Sequence, residues 1–154
     1  MLLRVAPPLR VTTWFNVTEP LTLLALRGNV VVLHAFQIAC PGCIQLATPQ
    51  AQRVHEIFAA AKVTVIGLHT VFENHGAMTP DALAQFIAEH RLTFPIAVDT
   101  PDGQNGIPLT MRELALDGTP SLILLDRTGR IRMKRLGHIP DLELGAAIAT
   151  LAAE

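Results

Sequence analysis

The stretch Val30-Val31-Val32-Leu33-His34-Ala35-Phe36 runs through Gln37-Ile38-Ala39 into Cys40-Pro41-Gly42-Cys43. A nearly continuous apolar run of this length suits a central strand covered on both faces. From Pro41 onward the pattern changes. Ile44, Ala47, Ala51, Val54, Ile57, Phe58 and Ala61 recur at spacings of three and four, which predicts a helix to about Ala61. Pro41 falls in the first helical turn, where proline is tolerated. Pro49 lies inside the helix and is expected to kink it or shift its register. The two cysteines are the only ones in the chain. They read as a redox-active dithiol that the remaining residues position.

Length and charge bound the alternatives. The chain has 154 residues, enough for one domain with a core that needs no staples. Half of the residues are apolar and 16% are charged, which excludes a disordered chain. A net charge of -1 leaves no footprint for nucleic acid or an anionic membrane. No apolar run reaches the roughly 18–20 residues that span a bilayer. Arg4, Arg10, Pro7 and Pro8 break up the first residues, so no secretory signal is expected there. A cytoplasmic location follows if Met1 is the native start. In a reducing compartment a cysteine pair is expected to bind metal or do chemistry rather than staple the fold.

Along the rest of the chain, residues 1–10 read as an exposed, flexible lead, and residues 11–154 as one domain. Val11 to Val17 is rich in β-formers and predicts an edge strand or hairpin arm. Leu21 to Leu26 is either a short strand with a helical turn or a loop on the core. Val63 to Thr70 is a second buried strand, followed by a polar loop from Val71 to Met78. Thr79 and Pro80 open a helix as N-cap and first residue, with Leu83, Phe86, Ile87 and His90 on one face. Ile96–Asp99 is a short strand, 103–108 a loop and Leu109–Leu116 a short helix. Ser121–Asp126 and Arg130–Leu136 flank Arg127-Thr128-Gly129 as a hairpin. Arg130, Arg132, Lys134 and Arg135 make that hairpin a solvated basic edge. Asp141 to Ala153 closes the chain as an amphipathic helix. Alternating strands and helices predict an α/β sandwich with parallel crossovers and one late antiparallel hairpin.

These residues carry a resemblance. A strand, Cys-x-x-Cys and helix, then βαβ, then Thr119-Pro120 entering a hairpin and a last helix, resembles the thioredoxin superfamily. Leu23-Leu24-Ala25-Leu26-Arg27-Gly28-Asn29-Val30 and Leu124-Leu125-Asp126-Arg127-Thr128-Gly129-Arg130-Ile131 are similar to its TlpA-like (redoxin, AhpC/TSA-type) branch. The resemblance spans about residues 11–152. It implies a three-layer α/β/α sandwich with a central mixed sheet and an N-terminal β extension. Relatives commonly carry Trp before the first cysteine, where this chain has Ala39. Thioredoxin has Gly-Pro between its cysteines, where this chain has Pro41-Gly42.

The chemistry expected at the pair is thiol–disulfide exchange. Cys40 stands at a helix start, where backbone N–H groups and the helix dipole favour a thiolate, so it is the expected nucleophile. Cys43, one turn on, resolves the mixed disulfide. The resemblance makes Pro120 a cis-proline packed on the dithiol. It assigns Thr119, with Ala39, Pro41 and Gly42, to the substrate contact, and sets His138 beside them. It offers two proton acceptors. His34 occupies the place of thioredoxin's buried carboxylate, and Glu73 falls where TlpA-like proteins often bury a glutamate. His69, His75, His55 and His90 read as structural or solvated. The redox group is the Cys40–Cys43 pair itself, with no other cofactor and no metal. The implied partners are a protein thiol or disulfide substrate and an upstream dithiol donor, with neither nucleic acid nor membrane.

Three other readings stay open at this point. A zinc half-site needs two further ligands at suitable spacing, and the histidines offer no such pair. A peroxiredoxin-like thiol peroxidase needs Thr or Ser three residues before its cysteine, and Gln37 stands there. A non-catalytic redox-sensing module would show no turnover on a dithiol substrate.

Overall fold

Strand β2 (Val30–Phe36) is buried along its whole length because both of its faces are covered. Val30, Val32 and Phe36 meet Ala51 and Val54 of helix α1 (Thr48–Ile57), Leu83, Phe86 and Ile87 of α2 (Pro80–Glu89), and Leu144 and Ile148 of α4 (Asp141–Ala153). Val31, Leu33 and Ala35 point the other way, toward Met111 of α3 (Leu109–Glu113), Leu114, Leu23 and Ala6. Each fully buried side chain of this size contributes about 1.5–3 kcal/mol relative to exposure. The computed structural model describes residues 3–104 and 106–154. Residues 1 and 2 of the expected lead, and residue 105 of the expected loop, lie outside the described residues.

The other strands are β1 (Val11–Phe15), β3 (Val63–His69), β4 (Ile96–Asp99), β5 (Ser121–Leu125) and β6 (Ile131–Leu136). They form one mixed sheet in the order β1-β4-β3-β2-β5-β6. The pairs β2–β3 and β3–β4 are parallel; β1–β4, β2–β5 and β5–β6 are antiparallel. This is a thioredoxin-like α/β sandwich, with β1 as the N-terminal extension on the sheet edge. Register sets the site. Phe36 lies opposite His69 on one side, and Ala35 opposite Ser121 on the other. The C-terminal end of β2 therefore meets the C-terminal end of β3 and the entry to β5.

Pro49 acts by shifting the register. It has no N–H to complete a four-residue hydrogen bond. A π-helical turn over Cys43–Ala47 precedes α1, and the Thr48 amide donates five residues back to the Cys43 carbonyl. Pro49 then lies in the first turn of α1, where no donor is needed. That helix stops at Ile57 rather than near Ala61, and Ile57 is exposed. Leu21–Leu26 forms hydrogen-bonded turns with Leu23 buried. Helix α3 ends at Glu113, short of Leu116, and Ala115 takes a left-handed φ of 52°.

Two expectations gain detail. The lead keeps Leu3, Arg4, Val5, Pro8 and Arg10 exposed, but from residue 3 onward its backbone pairs with the hairpin. The Leu3 amide donates to Ile131 O, Ile131 N to Arg4 O, and Ala6 N to Gly129 O, and Ala6 is buried. This backbone pairing covers the start of the open edge of β6. The basic hairpin is also not merely solvated. Arg130 donates to Leu3 O, Lys134 to Leu114 O and Ala115 O, and Arg132 and Arg135 pair with Glu154 and Glu143. Among the described residues no helix is long and apolar enough to cross a membrane.

Candidate active site

The chain leaves β2 at Gln37 and makes one tight turn before the cysteines. The Cys40 amide donates to Gln37 O at 3.1 Å, and the Ile38 amide donates to His69 Nε2 at 3.3 Å. Cys40 then sits half-buried at the start of the helix, and Cys43 is completely buried one turn on. Both thiols are free. The Cys43 amide donates to Cys40 Sγ at 3.3 Å, so a backbone N–H supports a thiolate on that sulfur. The Cys40 thiol in turn donates to Thr119 O at 3.7 Å.

The Thr119–Pro120 peptide bond is cis. The Pro120 ring lies against Gly42, between the two cysteines in sequence: a Cβ added there would sit 3.5 Å from Pro120 Cδ. The Gly137 amide donates to Pro120 O at 2.8 Å, with Gly137 at a φ of 91° that suits glycine. The end of β6 thus reaches Pro120, as the resemblance implied.

The two sulfurs differ in environment. Burial pushes the Cys43 thiol up to about 12, and its hydrogen bond with Cys40 adds to that. The Gln37 backbone and the Thr119 hydroxyl act in the opposite sense. Half-buried Cys40 is reachable from solvent, whereas Cys43 has no exposure.

The remaining expected residues divide. Ala39 and Pro41 are exposed around Cys40, with Gly42, Thr119 and Pro120 half-buried. His138 is exposed, one residue after the Gly137 whose amide bonds Pro120. His34 is a correction. It is buried, stacks on Phe36 at 4.9 Å between ring centres, and shares a 3.0 Å hydrogen bond with Thr48 Oγ1. Burial lowers its pKa to about 3, so near neutral pH it is a poor base for Cys43. Glu73 is a second correction. Its side chain is exposed rather than buried, and its Oε1 accepts from Gln37 Nε2 at 3.3 Å.

Gln37 and His69 join the site, and neither was singled out for it from the sequence. Gln37 is only 1% exposed and bonds Glu73, Thr119 and Phe72. His69 is 1% exposed, and its Nε2 accepts from Ile38, which puts the ring proton on Nδ1. Burial lowers its pKa to about 4. A polar Gln closing an apolar strand was the one visible signal. Among the described residues no cluster of three or more His, Cys, Asp or Glu side chains is arranged to hold a metal.

The redoxin family model matches residues 6–148. The chain belongs to the redoxin family. This redoxin superposes on a thioredoxin-like superfamily protein, SPOA0173, with a TM-score of 0.93 and 49% identity over 97% of each chain. It is equally similar in sequence to a thiol-disulfide isomerase from Corynebacterium glutamicum, at 49% identity and a TM-score of 0.90 over 97% of each. The thioredoxin domain of a thiol-disulfide oxidoreductase from Bacteroides vulgatus shares the fold at 18% identity, with a TM-score of 0.75 over 98% of each. No curated protein sequence matches the chain. The redoxin is thus a redox enzyme of the thioredoxin-like thiol-disulfide oxidoreductase family.

Proposed function

We propose that this redoxin exchanges its Cys40/Cys43 dithiol with disulfides of protein substrates. The Cys40 thiolate attacks a substrate disulfide, forming a Cys40–substrate bond and releasing one substrate thiolate. The Cys43 thiolate then attacks Cys40 Sγ, closing the Cys40–Cys43 disulfide and releasing the second substrate thiolate. Two electrons pass to the substrate, and an upstream dithiol donor returns them. The pair itself is the redox group.

One observation carries the reading. A solvent-reachable sulfur with a backbone N–H donor stands one helical turn from a fully buried partner sulfur. That asymmetry suits an attacking and a resolving thiol. The exposed Ala39 and Pro41, with Thr119 and Pro120, give a substrate chain room to lie beside Cys40. The name of the Corynebacterium glutamicum relative supports the same chemistry.

Trapping tests it. Cys43→Ser removes the resolving thiol, so Cys40 should accumulate mixed disulfides with protein substrates, and insulin reduction should stop. A Cys43→Ser protein that still turns over insulin, or that forms no mixed disulfide, refutes the exchange. Rapid peroxide consumption by the wild type without dithiol turnover would favour a peroxidase instead.

A further inference from the structure

One buried polar pair takes no part in the exchange steps. His34 Nε2 and Thr48 Oγ1 share a 3.0 Å hydrogen bond, and the two residues are 3% and 1% exposed. Either partner can supply the proton, because a hydroxyl both donates and accepts. Thr48 is held a second time: its amide donates to the Cys43 carbonyl and closes the π-turn over Cys43–Ala47. Two hydrogen bonds, both centred on Thr48, thus join His34 on β2 to the backbone of the resolving cysteine.

The π-turn reconciles two fixed orientations. On its N-terminal side the Cys40 amide is tied to Gln37 O and the Ile44 amide to Cys40 O, so the dithiol takes its direction from the end of β2. On its C-terminal side Ala51 and Val54 are buried in the cluster that covers β2, so α1 takes its direction from the sheet. A π-turn holds about one residue more than an α-turn, and one residue is about 100° of rotation about a helix axis. That residue absorbs the difference between the two directions. With α1 docked, closing the turn would swing Cys43 about the axis while Cys40 stays tied to Gln37. Pro49 has no N–H to donate back into the turn, so Thr48 holds it without help from the next residue.

We propose that His34 is a positioning residue for the resolving cysteine: through Thr48 it holds the π-turn open and keeps Cys43 turned toward Cys40. This rests on the exchange reading above, because it concerns the second step. Attack by Cys40 needs no such hold, since that residue is tied to the strand side of the turn.

The size of the effect follows from the bond. A neutral hydrogen bond lost shifts a conformational equilibrium by about twofold to tenfold. The resolving step falls with the share of molecules whose Cys43 faces Cys40.

The test uses the reduced full chain and 5,5′-dithiobis(2-nitrobenzoate). The Cys40 thiolate attacks the reagent's disulfide, releases one thionitrobenzoate and keeps the other on its sulfur. The Cys43 thiolate attacks Cys40 Sγ, releases the second and closes the protein disulfide; two protein thiols are oxidised and one reagent disulfide is reduced. Stopped-flow absorbance separates the two releases, and the first is the internal reference. A loss of global stability leaves their ratio alone. Thr48→Val keeps the β-branched shape and removes the hydroxyl; its second release should slow by about twofold to tenfold relative to the first. Thr48→Ser should keep the wild-type ratio. His34→Leu should match Thr48→Val, and combining the two should cost nothing further, because both break the same bond.

An unchanged ratio in Thr48→Val overturns the inference, as does an additive double variant. A Thr48→Ser protein as slow as Thr48→Val also overturns it, because the hydroxyl is then not what holds Cys43. Should His34→Leu not fold, the two Thr48 variants decide alone. A wild type that releases only one thionitrobenzoate refutes the exchange reading itself, which separates the two failures.

Discussion

The Ile38 amide donates to Nε2 of His69 over 3.3 Å, tying the turn that carries Cys40 to the end of β3. The parallel register makes this possible, because Phe36 and His69 are partners and the turn begins one residue later. The Phe36 ring lies 5.2 Å from the imidazole and fixes its plane. A neutral imidazole is required, since a protonated Nε2 cannot accept.

His69→Phe keeps the ring volume and removes the acceptor. The cost should be about 1–2 kcal/mol in urea unfolding, because Ile38 is half-buried and its amide loses its partner. Hydrogen exchange at the Ile38 amide should accelerate at least tenfold. A loss under about 0.5 kcal/mol would show that water replaces the histidine.

Acid should destabilise the fold earlier than carboxylates alone predict. His34 and His69 are held neutral, at about 3 and about 4, against an ordinary value of 6.5. Between 6.5 and those folded values the unfolded chain binds more protons, so stability is full above 6.5 and falls as pH drops. Each histidine contributes a slope of up to about 1.4 kcal/mol per pH unit. Asp126 is held low through Thr128, Arg130 and Arg132 despite the opposing pull of burial, and it loses its contribution only below about pH 4. Burial raises Asp99, which partly offsets the loss near its own titration. Urea unfolding at pH 7.5, 6.5 and 5.5 should show the decline, and His34→Leu should roughly halve its slope. A flat profile between pH 6.5 and 5.5 would mean that the two rings charge freely within the fold.

The strands were legible because β2 is covered on both faces and its seven residues show it without alternation. The helix after the cysteines was legible in its period but not in its end. Ile57 and Phe58 continue the apolar spacing, yet nothing covers Ile57. Cys40 and Cys43 were readable from their spacing, and Pro120 through the resemblance to the thioredoxin superfamily. Gln37 and His69 were not, because their partners lie 31 to 82 residues away and a lone polar side chain carries no local sign of them. Glu73 was misjudged for the same reason, whereas His34 was expected on a covered strand and only its role as a base failed. Burial of a polar group depends on what packs over it, and nothing covers the Glu73 side chain.

Glu73→Gln discriminates a proton acceptor from an anchor. The substituted amide still offers an oxygen to Gln37 Nε2, so the anchor survives while the titrating group is lost. The resolving step, read as the second release of thionitrobenzoate after Cys40 attacks 5,5′-dithiobis(2-nitrobenzoate), should change by less than about twofold. A tenfold slowing, with loss of the pH dependence of that phase, would make the exposed carboxylate the base that takes the Cys43 proton.

Gly67 is the residue of β3 that lets the rings beneath the dithiol close up. It pairs with His34 across β2. A Cβ there would lie 2.8 Å from Phe94 Cε2, and 3.1 Å from both Phe36 Cε1 and Ile96 Cγ1. All three neighbours are fully buried, so none can swing into solvent. Alanine would gain about 0.5–1 kcal/mol from reduced backbone freedom in the unfolded chain. Overpacking a closed core costs about 1–3 kcal/mol, and with two rigid rings in contact the larger cost should prevail. Gly67→Ala should therefore lower the urea midpoint by an amount equivalent to about 1–2 kcal/mol with an unchanged denaturant slope. A neutral or stabilised Gly67→Ala protein would show that the Phe94 and Phe36 rings shift apart without loss, and that this packing does not hold His34 in place.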